Sequence, residues 1–221
     1  MKKLFLIDAY AQIYRSYYAF INNPRITSTG MNTSAIFGFA NMLNELLQKE
    51  KPDYIAIGFD LSKPTFRHTI FPEYKANREE TPEDIKIAIP YVRRLAKAMN
   101  IPILEKAGFE ADDIIGTIAK KANKEGFDVF ILTPDKDYGQ LVDNKIKLYK
   151  PRIYATGFDI VGKEEVCTKY GIDNPSQVID ILALWGDKSD NIPGIDGIGE
   201  KTATKLIGEY KSIDGIYMYQ T

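Results

Sequence analysis

Nine acidic residues recur in short groups along the 221-residue chain: Asp8; Asp60; Glu110, Asp112 and Asp113; Asp135 and Asp137; Asp187 and Asp190. Carboxylates gathered in one place repel one another unless cations neutralise them. Hard oxygen donors with no His or Cys among them select Mg²⁺, with Mn²⁺ as a substitute. Two such ions about 4 Å apart can activate a water and stabilise the leaving oxygen of a phosphodiester. Each group also has a plainer use. Glu110, Asp112 and Asp113 stand where a helix starts and would suit its free N–H groups and macrodipole. Asp135 and Asp137 are turn formers, and Asp187 and Asp190 fit a loop before Pro193.

Two further segments carry chemistry of a different kind. From Lys63 to Arg78 basic residues alternate with Phe66, Phe71 and Tyr74, with no clean helical or strand period. A solvated loop would look like this, and so would a lid that contacts phosphates while bases stack on its rings. Residues 194–203, G-I-D-G-I-G-E-K-T-A, lie between two expected helices. Glycines there would let the backbone approach a phosphate, and the following helix would offer its N-terminal amides. Lys201 and Lys205 add charge. Such contacts read no bases, so binding would ignore sequence.

Composition narrows the alternatives. Cys167 and His68 are the only cysteine and histidine. An intrachain disulfide, a thiolate zinc site and any site needing two imidazoles are therefore excluded. The formal net charge of −1 does not advertise nucleic-acid binding, which would need a local basic surface. Met1–Ile7 is too short for a signal peptide, and no run of eighteen apolar residues exists. A reducing cytoplasm is the expected setting.

The elements that would position these residues alternate. Strands are expected at Leu4–Ile7, Tyr54–Phe59, Ile101–Leu104, Asp128–Leu132 and Ile146–Tyr149. Helices are expected at Thr33–Glu50, capped by Asn32 or Thr33, and at Glu83–Met99 and Ala111–Lys124. This predicts an α/β fold, a mostly parallel sheet covered by helices, with ligands at the carboxyl ends of its strands. Asp8, Asp60 and Asp135 all follow strands at that end. From about Gly162 the chain turns helical, with Glu164–Tyr170, Ser176–Trp185 and Glu200–Tyr210. The domain reading is a core over residues 1–160, an arch or lid at 61–90, and a helical subdomain at 161–221.

In order, the chain carries L-I-D-A-Y (6–10), F-D (59–60), F-R-H (66–68), P-E-Y-K-A-N-R (72–78), E-A-D-D (110–113), T-P-D-K-D (133–137), G-D-K-S-D-N-I-P-G (186–194) and G-I-G-E-K-T-A (197–203). It resembles the 5′ nuclease (flap endonuclease) superfamily, with its PIN-like or resolvase-like core, and most closely the N-terminal 5′-3′ exonuclease domain of bacterial DNA polymerase I. The resemblance implies Asp8, Asp60, Glu110, Asp112, Asp113 and Asp135 around a first metal ion. It implies Asp135, Asp137, Asp187 and Asp190 around a second. Tyr74, Lys75 and Arg78 match the base of the family's helical arch, with Lys75 at the scissile phosphate and Arg67 assisting. Lys63, Gly194, Gly197, Gly199, Lys201, Thr202 and Lys205 become DNA contacts, and K⁺ is implied at the helix-hairpin-helix. Pro134 and Tyr138-Gly139-Gln140 depart from the family's usual residues. Thr221 falls where the family's helical subdomain continues, so an excised or shortened chain is expected.

The implied activity is two-metal hydrolysis of DNA at a 5′ flap, nick or end, or of an RNA primer strand. The chain is expected to act as a monomer off the membrane, linked in the full protein to a polymerase domain. Three rivals stand beside it. A signalling receiver would use Asp8, Asp60, Thr133 and Lys136 and leave the glycine hairpin without purpose. A non-catalytic DNA-binding module would be betrayed by a missing ligand. A PIN-type ribonuclease would cut RNA alone. Which of exonuclease and flap cutting dominates, and on which metal, the sequence leaves open.

Overall fold

Strand β1 (Lys3–Asp8) is buried from Leu4 onward, as a fully apolar run in a sheet covered on both faces should be. It pairs in parallel with β2 (Tyr54–Gly58) on one side and with β4 (Asp128–Leu132) on the other. Beyond β2 lies β3, only Ile103–Leu104, again parallel. The computed structural model describes residues 2–152 and 157–219, so Thr221, the expected point of truncation, lies outside them. No helix among these residues is long and apolar enough to cross a membrane.

The chain divides into two compact units, Met1–Lys63 with Glu80–Pro134, and Pro64–Glu79 with Asp135–Thr221. In the first, helices α1 (Ala9–Ala19), α2 (Ser34–Glu50) and α4 (Glu83–Ala98) pack on one another, and α5 (Ala111–Lys124) packs on β1, β2 and β4. Phe5, Leu6, Ile7, Leu43, Ile57, Ile115 and Ile131 are fully buried. Each such side chain contributes about 1.5–3 kcal/mol from burial. Gly58 lets α5 come close, because a Cβ there would lie 2.7 Å from the Ile115 side chain.

The second unit begins with α3 (Phe66–Ile70). It continues through a short 3-10 helix at Asp137–Leu141 and an antiparallel pair, β5 (Ile146–Pro151) with β6 (Phe158–Val161). Helices α6 (Lys163–Tyr170), α7 (Val178–Trp185), α8 (Glu200–Tyr210) and α9 (Ile213–Met218) follow.

Several expectations need correction. Helix α1 escapes the apolar pattern because its buried face is Ala9, Gln12, Ile13 and Ser16, two of them polar. Helix α3 and strand β6 span five and four residues, too short to display a period. Pro175 opens a separate 3-10 turn, so the helix expected from Ser176 starts at Val178. Of the two cap candidates for α2, Asn32 accepts from the Ser34 amide at 3.0 Å, while the Thr33 hydroxyl donates to the Arg25 carbonyl.

Candidate functional site

In the first unit, register assembles the acids. Asp8 ends β1 opposite Gly58, and Ile7 lies opposite Leu132. Asp60 is therefore two residues past the partner of Asp8, and Thr133 is one residue past the partner of Ile7. The Thr133 hydroxyl donates to Asp8 Oδ2 at 3.1 Å, and the Ala11 amide donates to Asp8 Oδ1 at 3.1 Å, which also caps α1. Asp60 Oδ1 accepts from the Ala111 amide at 2.7 Å, fixing the start of α5 beside the end of β2. In the same first turn Asp113 Oδ2 accepts from the Glu110 amide at 3.0 Å. The capping role expected as an alternative to ligation is thus real, and it orients these carboxyls rather than scattering them.

The electrostatic outcome is plain at Asp8. Burial, then the charges of Asp112 and Asp60, push its carboxyl up to about 7 against the two hydrogen bonds that oppose the shift. Its strongest charged neighbours are both negative. Tyr10 is also raised, by burial and then by Asp60.

In the second unit, Asp135 Oδ1 accepts from the Asp137 amide at 2.9 Å and so opens the 3-10 helix. Asp137 Oδ1 is buried with no hydrogen-bond partner. Burial, then Asp135 and Asp187, push its carboxyl to about 7, with Lys136 opposing. Asp187 goes the other way. Burial raises it, but bonds from the Ser189 amide (2.8 Å) and hydroxyl (2.6 Å) and the Lys136 ammonium at 3.4 Å outweigh burial and lower it. The Lys136 Nζ also lies 4.4 Å from the centre of the Trp185 ring.

Asp190 gathers three side-chain partners. It accepts from the Tyr74 hydroxyl at 2.9 Å, pairs with Lys75 Nζ at 3.7 Å and is hydrogen-bonded to the Arg78 guanidinium. Bonds to backbone carbonyls repeat the attachment: the Lys75 amide donates to Asp190 at 2.9 Å, the Asn77 side chain to Lys188 at 2.7 Å, and the Asn191 side chain to Glu73 at 2.8 Å. Lys75 holds a φ of +60° within this zipper. Arg67 packs its guanidinium over Phe66 at 4.6 Å.

The glycine segment joins α7 to α8. Gly186 and Gly194 lie back to back. A Cβ on Gly186 would come within 2.3 Å of the Gly194 amide, and one on Gly194 within 2.3 Å of the Trp185 carbonyl. Packing alone thus demands glycine at 194, whatever else it contacts. Gly197 needs glycine for its φ of +80°, whereas Gly199 faces open space at an ordinary φ. Lys201, Thr202 and Lys205 are exposed on α8, and Lys63 is exposed in the first unit.

Each unit therefore brings together its own acids: Asp8, Asp60 and Asp112 with Glu110 and Asp113 on the start of α5, and Asp135, Asp137, Asp187 and Asp190. Among the described residues no three Asp, Glu, His or Cys side chains already converge tightly enough to hold an ion. The donor set still fits a hard dication. Its donors are all oxygens, burial and then neighbouring acids push two carboxyls to about 7, and one buried oxygen lacks any bond. Ser189, Asn77 and Asn191 were not anticipated as parts of the site, and Thr133 and Lys136 entered only through the receiver reading. Thr133 follows β4 as Asp8 ends β1, and Lys136 stands between two candidate ligands, so position could have flagged both.

Residues 3–171 match the family model described as 5′-3′ exonuclease, N-terminal resolvase-like domain, and residues 173–220 match 5′-3′ exonuclease, C-terminal SAM fold. DNA polymerase I of Synechocystis is 44% identical over 97% of the chain, which spans 22% of that relative's length. A 5′-3′ exonuclease of Aquifex aeolicus is 40% identical, with 98% of the chain covering 72% of it. The fold is that of the T5 5′-exonuclease solved with divalent zinc (TM-score 0.80, 22% identity, 99% of this chain and 79% of that one).

Proposed function

We propose, from the fact that the chain belongs to the 5′-3′ exonuclease family, that it hydrolyses DNA phosphodiesters from 5′ ends and at 5′ flaps. Asp8, Asp60, Glu110, Asp112 and Asp113 would hold one divalent ion, and Asp135, Asp137, Asp187 and Asp190 a second, Mg²⁺ being the physiological ion with Mn²⁺ as a substitute. The single observation that carries this reading is the pair of carboxyls, Asp8 and Asp137, that burial and neighbouring acids push to about 7. Such crowding is costly unless cations complete it.

When bound, the ions supply an activated water and charge neutralisation at the leaving oxygen. The chain's own residues do the rest. Thr133 and the α1 amide fix both oxygens of Asp8, and the α5 amides fix Asp60 and Asp113, so the ligands are preorganised. Lys75 and Arg78, tied to Asp190, bring positive charge to the phosphoryl oxygens, with Tyr74 orienting them and Arg67 adding charge on α3. Gly197, Gly199, Lys201, Thr202 and Lys205, with Gly194 shaping the turn and Lys63 on the strand path, would hold the duplex backbone without base readout. The open space at Gly199, which neither packing nor φ explains, supports that role. K⁺ would sit at this turn. The arch (61–90) would gate the 5′ strand, DNA or RNA primer, and the domain reading stays a core of residues 1–160 followed by a helical subdomain of 161–221. A linked polymerase domain is supported by the length of the Synechocystis relative.

A 5′-labelled flap duplex, incubated with and without Mg²⁺ and resolved by product length, tests this directly. Short labelled products in Mg²⁺ alone are expected, and an uncut flap would end the proposal. Lys75→Ala should slow cleavage far more than it weakens binding in a gel-shift titration, and equal losses would remove Lys75 from the chemistry.

A further inference from the structure

His68, the chain's only histidine, belongs to the F-R-H motif but has no part in the mechanism above. Its ring is held from two sides within the second unit. Nδ1 accepts from the Thr65 amide at 3.1 Å and lies 3.1 Å from the Thr65 hydroxyl, closing the first turn of α3. Acceptance at Nδ1 places the neutral ring's proton on Nε2. The ring then meets Tyr74 edge to face, with centroids 5.3 Å apart and planes at 80°. Tyr74 is 5% exposed, so this contact bears on a ring with little room to turn. Its hydroxyl in turn donates to Asp190, the acid that gathers Lys75 and Arg78.

We infer that His68 is a positioning residue: locked by Thr65, it braces the Tyr74 ring so that the phenol holds Asp190, and with it Lys75 and Arg78, in the geometry used for cleavage. The inference rests on the nuclease reading for its activity arm, but the bracing itself is a property of the metal-free chain. The alternative use of His68, capping α3 and nothing more, is separable by chemistry. Asn places an acceptor oxygen near the position of Nδ1 and keeps the cap while removing the ring. Phe keeps a ring against Tyr74 and removes the cap.

His68→Asn, His68→Phe, Tyr74→Phe and the His68→Asn/Tyr74→Phe double variant are compared in single-turnover cleavage of a 5′-flap duplex with Mg²⁺. Alongside, hydrogen exchange follows the Lys75 amide in metal-free protein. His68→Asn should cut roughly 10-fold more slowly, the low end of what losing an outer-shell partner costs. Its DNA dissociation constant should be unchanged, and protection at the Lys75 amide, which donates to Asp190, should fall. His68→Phe should be the milder lesion on both readouts. In the Tyr74→Phe background His68→Asn should add little, since both act through one phenol. Wild-type behaviour of His68→Asn, a worse His68→Phe, or losses that multiply in the double variant would each overturn the inference. Should the wild type cut no flap, the functional reading fails, and the exchange data still decide whether His68 braces Tyr74.

Discussion

Asp8 and Asp190 occupy opposite electrostatic settings. Around Asp8 the strongest charges are Asp112 and Asp60, its hydrogen bonds come from a neutral amide and a neutral hydroxyl, and its carboxyl rises to about 7. Around Asp190 stand Tyr74, Lys75 and Arg78, and nearby Asp187 is paired with Lys136. In the first unit Asp8 is raised by burial and two neighbouring acids, whereas in the second Asp187 and Asp190 carry cationic partners and Asp137 is raised as Asp8 is. In the first cluster an external cation would relieve the repulsion at Asp8. The second must share or release a lysine to accept one.

The largest test of this contrast is functional. Asp112→Asn in the first unit and Asp135→Asn in the second should each leave folding intact by circular dichroism. Each should slow flap cleavage by more than the roughly 10–100-fold that loss of an outer-shell partner costs. Retained turnover in both would remove the metal site from either cluster.

Stability separates the units more sharply. Asp8 has a folded pKa near 7, above the unfolded value of 3.8. Its proton preference therefore favours the folded state fully below about pH 3.8, and that advantage is lost as pH rises through 7. In metal-free protein at pH 8, Asp8→Asn should raise the melting temperature, and the gain should shrink at pH 5 and vanish below about pH 3.8. Asp190→Asn should do the reverse at pH 8, lowering stability by about 1–3 kcal/mol, because Tyr74, Lys75 and Arg78 lose the charge and one of the two oxygens they share. Denaturant titrations of both variants decide this. Equal signs would dissolve the distinction between the units.

The smallest effect is expected at Lys136→Met. Removing a half-buried partner of Asp187 should change unfolding free energy by no more than about 1 kcal/mol. Calorimetric titration should nonetheless find tighter Mg²⁺ binding to the variant, because the lysine no longer competes. Weaker binding would mean that Lys136 assists the ion.

The first unit was also the more legible of the two. Apolar runs broken by Asp8 and Asp60 announced both the strands and the edge of the sheet where acids would collect, and parallel register delivered them there. What escaped notice was structure whose signal is polar or brief. Helix α1 buries Gln12 and Ser16, and the serine fits because it faces Gly38, where a Cβ would lie 2.7 Å from its own. In the second unit the acids were visible, but their neutralisation was not. Lys75 and Asp190 are far apart in sequence, and nothing local to either predicts that one would hold the other.

That separation has a consequence for synthesis. Asn77 bonds a carbonyl 111 residues downstream, at Lys188, and its neighbours at 73, 75 and 78 depend on the same stretch. On a ribosome adding about 5–20 residues per second, residues 64–79 emerge roughly 6 to 22 seconds before their docking partner exists. Nascent chains stalled before residue 186 should thus expose this segment to protease, and release of the remainder should bury it.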